Sequence, residues 1–141
     1  MILCEFNSIM NSKELSEFKR TWTDNIFGSN NLIKLSENIS ICKPRKIFGD
    51  TDSWYYPISV YGHNGIKLGE FHVDHGCLGE NNYYPIIRFY NELNYTAIGG
   101  GGYNCGQPNN YSLKAETDKL TITTEKLLEI VRKSFEYVKI F

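Results

Sequence analysis

Apolar and polar residues alternate along this chain with two different periods. Near the start, Leu15, Phe18, Trp22 and Ile26 recur at helical spacing, which predicts a helix facing the core on one side. Asn11, with Glu14 three residues on, forms a capping-box start, and Gly28 is placed to end the helix. Near the other end, Leu127, Leu128, Val131, Phe135 and Val138 form a second apolar stripe. Lys126, Glu129, Arg132, Lys133 and Glu136 occupy its opposite side. Thr124 is placed to cap this helix, and Glu125 suits its positive first turn.

Between these helical stretches the period drops to two. Residues 54–76 read WYYPISVYGHNGIKLGEFHVDHG, two strand-like runs around Asn64-Gly65. That dipeptide favours a type I′ turn, because both central residues of such a turn need φ > 0. With Asn64 and Gly65 in the turn, Ile58 faces Phe71, Tyr56 faces Val73 and Val60 faces Gly69 on one apolar face. The other face collects Tyr55, Ser59, Tyr61, Glu70, His72 and Asp74, while His75 falls on the apolar side opposite Trp54. This register is testable, since a one-residue slip exchanges every side chain between the faces.

Weaker patterns complete the reading. Residues 1–6 are short and apolar, as a first strand would be, and Ile39 and Ile41 predict a strand that ends before Pro44. Residues 29–37 are ambiguous, 44–53 read as a loop, and so do 76–82. The stretch 84–95 reads as a strand in its first half, the alternative being a short helix opened by Pro85. Two short strands follow at 112–117 and 119–123, with Asp118-Lys119 available for a tight turn between them. Strands clustered between an N-terminal and a C-terminal helix predict an α+β fold: a largely antiparallel sheet with both helices packed on one face, as a single domain over 1–141.

Composition narrows the classes. Hydrophobic residues at 41% and charged residues at 22% are ordinary globular values, and a net charge of −1 argues against a nucleic-acid binder. The compact basic cluster at residues 43–46 suits a solvated turn. No run approaches the ~20 apolar residues that cross a bilayer. Cys4, Cys42, Cys77 and Cys105 are scattered without a CxxC pair, and the first ten residues lack the pattern of a secretory signal. A cytoplasmic protein with reduced thiols is therefore expected.

Four features carry candidate chemistry. Glu70, His72 and Asp74 project to one side at strand period, about 7 Å apart. The string His72-Val73-Asp74-His75-Gly76 resembles the second half of the zinc motif H-x-H-x-D-H of metallo-β-lactamase-fold hydrolases. That resemblance implies His72, Asp74 and His75 as metal ligands. It covers a few residues only: the family's first histidine falls on Glu70 here, and no histidine follows His75. The plain alternative is the solvated side of a half-exposed sheet.

The second feature is the glycine run with Gly100, Gly101 and Gly102, followed by Tyr103 and Asn104. Successive backbone N–H groups in such a loop can cradle an anion. No Lys-Ser/Thr follows it, however, and G-x-G-x-x-G is not matched. The third is a nucleophilic cysteine, Cys77 or Cys105, with His75 near the former. The last is an excess of loop-borne Tyr and Asn, the composition of adaptable recognition surfaces.

Three function classes follow. The leading expectation is a small non-catalytic binding protein, an inhibitor or toxin-neutralising immunity protein, that meets a protein partner through Tyr/Asn/Gly-rich loops. Its binding residues would be drawn from Tyr55, Tyr61, Glu70, His72, Asp74, Arg88, Gly100, Gly101, Gly102, Tyr103 and Asn104, without a cofactor. The alternatives are a nucleotide-like small-molecule binder using the glycine loop and a small metal-dependent hydrolase using His72, Asp74 and His75.

Overall fold

The computed structural model describes residues 1–45, 57–92, 111–114 and 119–135. The chain runs β1 (Ile2–Asn7), α1 (Ser12–Phe27), β2 (Leu32–Lys34), β3 (Ser40–Cys42), β4 (Ile58–Tyr61), β5 (Lys67–Gly79), β6 (Asn82–Asn91), β7 (Tyr111–Lys114), β8 (Lys119–Thr123) and α2 (Thr124–Ser134). Strands β2 to β7 form a six-stranded sheet in sequence order, every pair antiparallel. β1 and β8 pair with each other in a separate two-stranded sheet. This is the expected α+β architecture.

Both helices lie against one face of the large sheet, the face that carries its continuous row of apolar side chains. Leu15, Phe18, Trp22 and Ile26 of α1 and Leu127, Val131 and the following Phe135 share one core with Ile41, Val60, Phe71, Ile87 and Phe89 of the sheet. The Phe71 and Phe89 rings lie 5.2 Å apart, and Phe89 meets Phe135 at 6.2 Å. Asn91 ends the apolar row on β6; buried there, it donates from Nδ2 to the Ser134 carbonyl at 2.8 Å. That bond satisfies one of the carbonyls orphaned at the C-terminus of α2.

The helix ends follow from local chemistry. Asn11 accepts from the Glu14 amide at 2.8 Å, and the Glu14 carboxylate accepts from the Asn11 amide at 3.1 Å, completing the capping box. Gly28, at φ 57°, closes α1 with its N–H on the Asp24 carbonyl. At α2 the cap is one residue earlier than expected: Thr123, in extended conformation, accepts from the Lys126 amide, and Thr124 is already helical. Ile130 joins the buried stripe as well.

The Asn64-Gly65 turn forms as predicted, with φ 61° and 72° at the two residues. Ile58 pairs with Phe71, Ser59 with Glu70 and Val60 with Gly69, as the alternation requires. Closer to the turn the predicted register fails, because Tyr61 pairs with Lys67 across a bulge. The extra residue is Leu68, which turns inward and is fully buried beside Gly62. The expected pair of Tyr56 with Val73, and Trp54 opposite His75, lie outside the described residues.

Two further expectations are corrected. Residues 76–82 are not a loop; β5 continues to Gly79 and turns through Glu80 and Asn81 into β6. Gly76 stays in the strand because Tyr84, its cross-strand partner, lays its ring over it. A Cβ there would sit 2.1 Å from the Tyr84 ring. β7 and β8 are not a hairpin either: β7 extends the sheet beside β6, while β8 crosses to β1. β6 remains a strand to Asn91, as expected for the first half of 84–95, while residues 93–95 lie outside the described residues.

Candidate functional site

On the long hairpin β5–β6 the pleat sends successive side chains to opposite sides. Phe71 and Val73 go to the helices, and Glu70, His72 and Asp74 go the other way. Opposite them, Tyr90 pairs with Glu70 and Arg88 with His72. The predicted trio is therefore assembled on one face, joined by Arg88 and by Tyr90, Lys67 and Glu92.

These side chains are linked into two groups. Glu70 divides its carboxylate: Oε1 accepts from Lys67 Nζ at 2.6 Å, and Oε2 lies 2.9 Å from His72 Nε2. Lys67 also approaches Glu92 at 3.8 Å. In the second group, Asp74 Oδ2 accepts from the Tyr90 hydroxyl at 3.0 Å and lies 3.0 Å from Arg88 Nε. The Arg88 contact is an ion pair only, since its N–H points off the line of a hydrogen bond. Tyr90 joins the groups. Its ring stands edge-on to His72 at 5.0 Å while its hydroxyl reaches Asp74.

The side chains of Glu70, His72, Asp74 and Arg88 are only 13% to 24% exposed. At that depth charges interact more strongly than on an open surface and cost more when left alone. Burial pulls the Lys67 ammonium down. The Glu70 hydrogen bond and charge, with Glu92 and Tyr61, outweigh it and raise Lys67 above the usual lysine value. Tyr61, paired with Lys67 across the bulge, thus borders the network.

His75 takes a separate position. It points to the helix side, where Lys19 Nζ donates to its Nδ1 at 3.0 Å and Tyr83 meets its ring edge-on. The ring proton is thereby assigned to Nε2. Burial lowers the His75 pKa, the Lys19 charge lowers it further, and Asp74 opposes both. Lys19 itself is 8% exposed. His72, Asp74 and His75 therefore do not converge, and among the described residues no group of three His, Cys, Asp or Glu is placed to hold a metal ion.

Cys77 is exposed, and its thiol donates to the Gly79 carbonyl at 3.3 Å. Cys4, by contrast, is pushed up to about 11 by burial, which keeps it a thiol. Tyr55, Gly100, Gly101, Gly102, Tyr103, Asn104 and Cys105 lie outside the described residues. Lys67 and Glu92 were not among the candidates drawn from the sequence, and Tyr90 entered only through the excess of tyrosine. Extending β6 at period two from Arg88 would have placed Tyr90 and Glu92 beside it.

Chemically, the face offers a fixed array of alternating charges with an aromatic bridge. The Glu70 and Asp74 carboxylates are already engaged, so the face is built to present charge in set positions. No helix among the described residues is long and apolar enough to cross a membrane. Comparison with protein-family models, with curated proteins and with solved structures gave no match to this chain.

Proposed function

We propose that this chain is a small non-catalytic binding protein, of the inhibitor or immunity-protein kind, that recognises a protein partner through the charged face of β5–β6. One observation carries the reading: Lys67, Glu70, His72, Asp74, Arg88 and Tyr90 are tied together on the sheet face turned away from both helices. Side chains held in place before contact lose less freedom on binding, and fixed charges of both signs select a complementary surface. The free thiols of Cys4, Cys42 and Cys77 suit a reducing cytoplasm.

The test is partner capture with matched variants. Tagged wild-type protein, Arg88→Glu and Glu70→Lys are incubated with lysate of the source cells, and captured proteins are quantified by mass spectrometry. A partner that then forms a defined complex with the purified wild type, and binds each variant at least about tenfold more weakly, supports the reading. Equal binding by the variants would overturn it. Thermal-shift screens with nucleotides and with divalent metals run beside it, because a ligand that binds the native state stabilises it by mass action.

A further inference from the structure

Beside the turn between β4 and β5, and lined by none of the residues of the β5–β6 charge array, three separate elements meet around a cavity of about 350 Å³. Ser36 and Asn38 come from the turn between β2 and β3, His63 from the turn between β4 and β5, and Arg132 from the last turn of α2. The floor is Ile39 and Leu68, both fully buried. Gly62 forms part of the wall, and a Cβ there would press on the Leu68 side chain at 3.2 Å.

The polar lining is one-sided. Arg132 carries a permanent positive charge, and the Ser36 hydroxyl, the Asn38 amide and the His63 ring can each donate a hydrogen bond. None of the lining residues described is acidic. On its own helix, the nearby Glu129 pairs with Lys133 at 2.9 Å, and Arg132 lines the cavity. The C-terminus of α2 contributes a negative partial charge of about half a unit, which a full guanidinium charge exceeds. The cavity has the size of a small ligand pocket, about 300 Å³ or more, with an apolar body and a few convergent polar groups.

We infer that this cavity binds a small organic anion, a carboxylate or phosphate carried on a compact apolar group. The anionic head meets Arg132 in the two-pronged geometry that guanidinium forms with carboxylate and phosphate. Ser36, Asn38 and His63 complete its hydrogen bonds, and the apolar body lies along the Gly62 wall, with Ile39 and Leu68 beneath it. Nothing in this site depends on the β5–β6 face.

The test is an amide NMR titration of the full chain with phenyl phosphate, with benzoate and with benzyl alcohol as the neutral control. Saturable shifts at Gly62 and His63 with at least one of the two anions, and binding of the alcohol weaker by about tenfold or more, are expected. The tighter of the two anions identifies the head group. Arg132→Gln should weaken the anion by about tenfold or more, and Arg132→Lys by less, because charge survives while the fork is lost. Arg132 is exposed, and an unchanged amide spectrum verifies that the variant folds. Absence of saturable shifts with both anions, equal binding of the alcohol, or equal binding by Arg132→Gln would each overturn the assignment.

Discussion

The two sides of the β5–β6 hairpin are made by the same residues counted alternately, yet they are held by different forces. Toward the helices, Phe71, Val73, Ile87 and Phe89 are buried in a continuous apolar core. On the opposite side, Glu70, His72, Asp74, Arg88 and Tyr90 hold one another by ion pairs and hydrogen bonds. The first side is insensitive to direction and demands volume. The second is sensitive to direction and demands partners. A sheet that only needed to fold could leave its second side to water with scattered lysines and threonines. This one concentrates charge there at partial burial, where each removal leaves a partner poorly solvated.

That contrast can be broken most directly from the apolar side. Phe89→Ala removes a ring that touches both Phe71 and Phe135 and should cost about 3–5 kcal/mol, measured by urea unfolding. Asn91→Ala tests the polar residue that the core tolerates. It strips the Ser134 carbonyl of its donor and should cost about 1–3 kcal/mol. On the charged side, Asp74→Asn should cost about 1–2 kcal/mol, between an exposed pair and a fully buried one, while partner binding falls far more. If Asp74→Asn destabilises as much as Phe89→Ala, the charged face is a second core and the contrast fails.

The smallest effect is a pH dependence located at His75. The folded chain holds His75 neutral to a lower pH than the usual 6.5, through burial first and the Lys19 charge second. The unfolded chain takes up that proton near pH 6.5 and the folded chain only below it. Stability should therefore decline as pH falls through 6.5 and level off below the folded value. Thermal melts of His75→Gln against wild type, across that window, should show the decline reduced. An unchanged slope would place the sensitivity elsewhere.

Local signals were readable in the sequence wherever one residue's chemistry decides its own backbone. Asn11 and Gly28 bound α1, and Asn64 and Gly65 take the positive φ that the turn demands. Away from the bulge, over Ile58–Val60 and Gly69–Asp74, the alternation sorts the faces correctly because a period of two leaves no third option. What escaped depends on neighbours distant in sequence. Gly76 reads as a breaker until Tyr84 covers it, and Leu68 reads as an outward residue until a bulge turns it in. The separate destinations of β7 and β8 carry no local mark at all. Arg132 and His63 likewise come from different stripes and meet only in three dimensions.

The β1–β8 ribbon sets an order of events during synthesis. Strands β3 to β7 can each pair with the preceding strand as they emerge, since that neighbour has already been made. β1 cannot: Ile2 pairs with Thr123, so β1 must wait for a partner made after every strand of the large sheet. Until then its backbone is an edge without its strand partner; in the folded chain Met10 and Tyr83 bridge the segment after β1 to β6. Such late, long-range closure is slow to form and exposes an edge meanwhile. Translation stalled short of residue 119 would leave β1 without its partner and the sheet without its second helix, a species for chaperones and proteases to find.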